Sequence, residues 1–247
     1  MKKIKRVALI TGGARRIGKS IAQHLHNCDI DIMIHYNHSS KDAGELEAEL
    51  NKIRSNSAAS IKADLLKNDS YNDIIKEVIS VFGQLDFLIN NASTYYPTPI
   101  ESINESSWED LIGTNLKAPL MLSQYATRYL KKTKGAIINI TDAQIGNPKK
   151  NYIIYALAKS GLATLTKSLA KDLSPDIRVN AVAPGAILWP ESNHEFDDRY
   201  REKVISQTLL KKTGSPEDIS KAIEFLLLHA PYITGQTICI DGGRQYS

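Results

Sequence analysis

Tyr155 and Lys159, in the stretch YALAK, are four residues apart in a segment whose apolar spacing predicts a helix, so the two side chains share one face. A cation beside a phenol favours the phenolate and lowers its pKa, which would make Tyr155 a proton donor near neutral pH. Two further polar groups end apolar runs: Asp142, just upstream, and Asn90-Asn91-Ala92. Strand ends of an open parallel sheet converge on a ligand crevice, so these residues are candidates for the same site. Asp142 also admits a plainer role, as the N-cap of a helix beginning at AQIGN.

A second chemistry lies at TGGARRIG, Thr11 to Gly18, which follows the first apolar run and opens the first helical pattern. Glycines in that position give a tight turn, and the helix N-terminus supplies N–H groups and positive potential to a pyrophosphate. The second apolar run ends in HYNHSS, His35 to Ser40, with no acid to hold a ribose 2′-OH. His35, His38, Ser39 and Ser40 could instead serve a 2′-phosphate, so the expected cofactor is NADP(H). The alternative is that these are ordinary loop polars before a helix.

Strands that position these residues are expected at 6–11, 29–36, 57–65, 85–90, 135–141, 177–184 and 236–241. Helical patterns lie between them, near 16–27, 40–55, 69–82, 105–131, 151–173 and 216–229. The last opens with Ser215-Pro216-Glu217-Asp218: a cap residue, a proline at the first helical position and acids facing the helix dipole. Strands that are apolar on nearly every residue are buried on both faces, and strand–helix alternation calls for right-handed crossovers. The expected fold is α/β: a single doubly wound Rossmann-type domain over 1–247, with a central, mostly parallel seven-stranded sheet flanked by helices. Gly185 to Arg201 is the one long weakly patterned insertion, a candidate lid, with Trp189 expected to pack within it.

Composition narrows the function classes. With 31 Lys+Arg against 27 Asp+Glu in 247 residues, and the basic residues mostly scattered, no nucleic-acid partner is expected. Cys28 and Cys239 lie far apart with no CxxC, so neither a disulfide framework nor a zinc site is suggested, and two thiols in a reducing cytoplasm are the simplest reading. No two histidines are paired at i, i+4, so no metal is expected. The apolar run Val7 to Ile10 is too short for a signal peptide and no run approaches a membrane span, so the expected location is cytoplasmic and the five Asn-X-Ser/Thr matches are treated as chance.

Taken together, TG(x)5G after the first strand, Asp64 after the third, NNA at 90–92, Asn115, YxxxK at 155–159, Pro184-Gly185 and DGG at 241–243 resemble a short-chain dehydrogenase/reductase over almost the whole chain. The resemblance implies hydride transfer from a nicotinamide. Tyr155 would supply the proton, Lys159 would bind the nicotinamide ribose and lower the tyrosine pKa, and Asn115 would hold a water relay. It places cofactor contacts at Gly12, Arg16, Ile17, Gly18, His35, Tyr36, Asn37, His38, Ser39, Asp64, Leu65, Asn91, Ala92, Ser93, Tyr155, Lys159, Pro184, Gly185 and Ile187.

Three positions depart from the ordinary family pattern. Arg16 replaces a loop glycine, Ser93 replaces the glycine of NNAG, and Asp142 stands in place of the usual catalytic serine. With NASTYYPTP (91–99) and PGAILWPE (184–191), they resemble the pteridine reductases, bacterial type. That resemblance implies a pterin or folate substrate held by Arg16, Ser93, Tyr95, Asp142 and Tyr155, with Tyr95 as the platform for a flat ring and Arg16 touching both pyrophosphate and pterin. It also implies a homotetramer built through the helices near 105–131 and 151–173, while Arg15 is expected to face solvent. The competing reading is a reductase of the same family acting on a C=O, such as a 3-oxoacyl thioester reductase. Against it, an ionised carboxylate at 142 cannot donate a hydrogen bond to a carbonyl oxygen.

Overall fold

A computed structural model describes residues 5–188 and 198–246. Seven strands, β1 (Arg6–Ile10), β2 (Ile30–Tyr36), β3 (Ala58–Lys62), β4 (Phe87–Asn90), β5 (Ala136–Ile140), β6 (Arg178–Pro184) and β7 (Thr237–Ile240), form one sheet in the order β3-β2-β1-β4-β5-β6-β7. Every pairing is parallel. The chain runs outward from β1 through β2 to β3, then returns to lay β4 against the other edge of β1. That reversal makes the β1/β4 boundary the topological switch point, and a crevice opens beyond the carboxyl ends of these two strands.

Among the described residues there are eight α-helices: α1 (Arg16–Asn27), α2 (Ser40–Ile53), α3 (Ser70–Phe82), α4 (Glu105–Ile112), α5 (Ala118–Thr133), α6 (Ile153–Leu173), α7 (Asp198–Ser206) and α8 (Pro216–Glu224). Alternate residues of β1 sort to opposite faces. Ala8 and Ile10 pack with Ile21 and Leu25 of α1, Leu46 of α2 and Ile219 of α8, whereas Val7 and Leu9 pack with Ile74 of α3 and Leu122 and Leu130 of α5. Burial on both faces accounts for the unbroken apolar runs, because a solvated face would have called for alternation. Ser215 caps α8 as its sequence predicts: Asp218 N donates to Ser215 Oγ and Ser215 N donates to Asp218 Oδ2, with Pro216 in the first turn.

Two helical patterns are interrupted. Between α4 and α5 the backbone forms a π-helical turn, Gly113–Lys117, and a second π turn, Phe225–His229, continues α8. Each inserts an extra residue per turn, and such bulges often mark functional positions. Helix α7 falls partly in the segment expected to be unpatterned, while Trp189 lies outside the described residues.

A buried polar chain fixes α6 against the sheet beneath the strand ends. Asn90 Nδ2 donates to Asn139 Oδ1 at 2.8 Å, and Asn139 Nδ2 donates to Thr166 Oγ1 at 2.9 Å, joining β4, β5 and α6. The buried Asn139 amide, satisfied at both ends, holds α6 to one rotation about its axis, which sets where Tyr155 and Lys159 point.

Candidate active site

The phosphate loop is braced from the β4 side. Asn91 Nδ2 donates to the carbonyls of Thr11 and Gly12 (2.9 and 3.0 Å), and the backbone N–H groups of Asn91 and Ala92 both donate to Thr11 Oγ1 at 3.0 Å. Gly12 adopts φ +60, and a Cβ on Gly18 would lie 2.1 Å from Gly12 O. The loop therefore lies flat on the first turn of α1, whose start has no side-chain cap. A close, uncapped backbone of this kind fits a pyrophosphate.

His35, expected to serve a 2′-phosphate, has both ring nitrogens engaged within the protein. Its imidazole is buried, accepts from Gly12 N at Nδ1 (3.2 Å) and donates from Nε2 to Ala63 O (3.1 Å), so it is a neutral ring that positions the glycine loop. Burial pushes its pKa down from 6.5 to about 4. The folded chain thus binds fewer protons than the unfolded chain between these values, and stability present above 6.5 is lost as pH falls towards 4. The full loss is about 3 kcal/mol. Urea midpoints at neutral pH and near pH 4 are expected to differ markedly more in the wild type than in His35→Gln, and equal differences would refute the assignment.

Beside the loop, a cleft of about 440 Å³ is lined by Gly12, by Tyr36 to Ser39 at the end of β2, and by Asp64 and Leu65 after β3. Ala92 and Ser93 close it near the switch point. Asp64 Oδ1 accepts from Leu66 N, shaping the β3 turn. Arg15 is exposed to solvent as expected, and it also lines this cleft, as His38 and Ser39 do.

A second cleft of about 580 Å³ adjoins it, with Ser93 lining both. Arg16, Ile17, Tyr95, Asp142, Tyr155, Pro184 and Gly185 line it, together with Tyr152 and Lys149, which the sequence reading passed over. Tyr155 OH donates to Asp142 Oδ2 at 2.8 Å, while the other carboxylate oxygen accepts from Gln144 N at 2.7 Å. No helix begins at AQIGN, which forms a turn, so Asp142 is not the helix N-cap of the plainer reading; it holds that turn and reaches the tyrosine. Tyr95 stacks on Tyr152 with ring centroids 4.6 Å apart and meets Tyr155 edge-on at 4.8 Å. Lys149 Nζ sits 4.6 Å over the Tyr152 ring.

Lys159 is buried, and its Nζ donates to Ile140 O at 2.8 Å. Burial lowers its pKa to about 8, partly opposed by Asp142, so the ammonium is charged at neutral pH. The expected lowering of the Tyr155 pKa is not found. Burial raises it well above 10, and the neighbouring Asp142 charge adds to the effect, so Tyr155 is held as the protonated phenol.

Asn115, in the first π turn, is fully buried with its side chain engaged internally. Its Nδ2 donates to Thr94 O and Leu111 O, both at 3.0 Å, and its Oδ1 accepts from Ser93 Oγ at 2.6 Å. The residue anchors the 93–94 loop between the clefts instead of lining either. Gly18, Asn91, Lys159 and Ile187 likewise line neither cleft. A Cβ on Gly185 would meet Asp241 at 2.6 Å, so the β6 and β7 ends are in close contact there.

Arg16 keeps the backbone of the glycine it replaces, with φ 54, and its Nη2 donates to Leu188 O at 3.4 Å. A left-handed non-glycine residue costs about 1 kcal/mol, and such strain at a cleft points to use of the side chain. Arg16→Gly is therefore expected to be more stable than Arg16→Ala by about 1 kcal/mol, with both variants raising the substrate KM alike. Thermal melts and steady-state kinetics on the pair check this.

The family model described as enoyl-(acyl carrier protein) reductase matches residues 12–245. Over 242 residues the chain is 39% identical to 3-oxoacyl-(acyl-carrier-protein) reductase FabG of Staphylococcus epidermidis, covering 96% of this chain and 97% of that protein. Identity to the FabG of Staphylococcus aureus is 38% over 247 residues, with 98% of each chain covered. With pteridine reductase 1 of Leishmania tarentolae it is 35% over 279 residues, covering 96% and 95%.

Proposed function

Because the chain belongs to the short-chain dehydrogenase/reductase family of oxidoreductases, we propose that it uses NADPH to reduce a dihydropterin, such as dihydrobiopterin or dihydromonapterin, to the tetrahydro form. Dihydrofolate, which carries the same ring, falls within the same reading. The observation that carries it is the Tyr155–Asp142 hydrogen bond. A carboxylate at 142 cannot donate to a carbonyl oxygen, whereas a C=N substrate needs a proton at nitrogen, which the phenol can give.

Bound NADPH would supply the hydride. Tyr155, kept protonated by burial and by Asp142, holds the proton at Oη for the substrate nitrogen. As that proton leaves, the buried Lys159 ammonium, 5.8 Å from the Tyr155 ring centroid, offsets the negative charge left on the Tyr155–Asp142 pair. Tyr95, backed by Tyr152, offers an aromatic surface for a planar ring. Arg16 offers a guanidinium fork to ring acceptors beside the phosphate loop. NADP preference is supported by Arg15, His38 and Ser39 around a cleft whose β2 end lacks an acid. A cytoplasmic homotetramer, with exposed Leu120 and Tyr125 of α5 and Ile153 and Leu157 of α6 as candidate contacts, belongs to the same proposal.

Whole-chain similarity favours a second reading, reduction of a 3-oxoacyl thioester, because the two FabG proteins are more identical to this chain than the pteridine reductase is. The chemistry at position 142 favours the first. NADPH consumption with dihydrobiopterin, dihydromonapterin, dihydrofolate and acetoacetyl thioester in parallel separates them. Pterin turnover supports the proposal, and turnover of the thioester alone replaces it with the second reading.

A further inference from the structure

At the opposite end of α1 from the phosphate loop, a polar seam joins α1 to α8. Ser20 Oγ and Ser220 Oγ are 2.9 Å apart, and one turn on in both helices His24 Nε2 meets Glu224 Oε2 at 2.8 Å. The helices thus stay in register turn for turn. One further turn of α1 brings up Cys28, its C-cap residue, and the π turn after α8 brings His229 Nε2 within 3.3 Å of the second oxygen, Glu224 Oε1. One donor atom each from His24, Cys28 and Glu224 lies within 4.8 Å of the others.

We propose that His24, Cys28 and Glu224 form a binding site for a zinc-class divalent ion on the α1–α8 seam, with His229 orienting the carboxylate from outside. Bond lengths of about 2.0–2.3 Å place tetrahedral donors roughly 3–4 Å apart, so small side-chain adjustments close the set around an ion. Nitrogen, sulfur and carboxylate oxygen together suit zinc better than calcium or magnesium. On binding, the Cys28 thiol gives its proton to solvent and the thiolate forms the metal–sulfur bond. Thiolate and carboxylate then carry two negative charges against the two of the ion, while His24 stays neutral. The fourth position is open to water. All three side chains are partly exposed, so an ion can enter. Glu224 is held by an imidazole on each oxygen, the pattern in which an outer histidine fixes a ligating carboxylate. The set holds no histidine pair at i, i+4: that spacing belongs to His24 with Cys28, and the third member lies 200 residues from His24.

Cobalt(II) titration of the chelator-stripped full chain provides the test. A thiolate-to-cobalt charge-transfer band that saturates at one ion per chain and is displaced by zinc is expected in the wild type and in Cys239→Ser, but not in Cys28→Ser. Glu224→Gln and His229→Ala are expected to bind at least about tenfold more weakly. Zinc is expected to raise the Tm of the wild type and not that of Cys28→Ser. Should Cys28→Ser fail to fold, zinc protection of Cys28 from alkylation in Cys239→Ser reads the same contact. A silent titration, a band that survives loss of Cys28, or unprotected alkylation would overturn the site.

Discussion

Asp142→Ser is expected to lower kcat for a dihydropterin by about 10²- to 10⁴-fold, with NADPH still bound. In the wild type, one carboxylate oxygen takes the Tyr155 hydroxyl and the other the Gln144 N–H, so the phenol is aimed as well as kept protonated. Serine leaves Tyr155 buried with neither the acceptor nor the charge. Tyr155→Phe should cost about as much, and the double variant little more, because residues that handle one proton act as a unit. Steady-state kinetics on the three variants check this. If pterin turnover survived in Asp142→Ser, the aspartate would be reduced to a turn cap, and multiplying losses in the double variant would separate the two side chains.

Gly18→Ala is expected to weaken NADPH binding at least tenfold and to lower the Tm. The added Cβ would lie 2.1 Å from Gly12 O and 2.8 Å from Asn91 Nδ2, and neither neighbour can retreat, since the same amide holds the Thr11 and Gly12 carbonyls. Overpacking of this kind costs about 1–3 kcal/mol, and it would lift the loop from the helix end where a pyrophosphate would rest. Gly44→Ala is the matched control. Its Cβ meets nothing within 4 Å at an exposed position of α2, so it should gain up to about 1 kcal/mol in stability without changing cofactor affinity. Fluorescence titration with NADPH and thermal melts on both variants read the contrast, and an unchanged NADPH affinity in Gly18→Ala would refute the close-packed cradle.

The sheet was legible in the sequence because its strands are buried on both faces. Val7 to Ile10 is apolar throughout and Ala136 to Ile140 is apolar except for Asn139, and their boundaries fell within a few residues of those observed. Helix α7 was not legible, since DRYREKVIS offers little apolar periodicity. The π turns were invisible too, because one extra residue shifts the phase of a pattern without erasing it. At the site, Tyr155, Lys159 and Asp142 were found by type and spacing, and they do converge. The structural role of His35 was not legible, because a polar residue at a strand end looks the same in sequence whether or not its ring nitrogens hold the glycine loop. Lowering of the Tyr155 pKa by Lys159 was misjudged because spacing gives proximity but not burial or the nearer Asp142 charge.

The place of β1 between β2 and β4 also has a meaning in time. Its first partner lies a few tens of residues away, but its second edge is closed only when β4 arrives, and the Val7–Asp86 hydrogen bond at that edge spans 79 residues. During synthesis, a strand apolar from Val7 to Ile10 must therefore wait with one row of N–H and C=O groups unpaired until the chain has grown past residue 90. In that interval the nascent chain is open to edge-to-edge association. The boundary at which the finished protein gathers its ligands is thus also the one most in need of protection while the chain is being made.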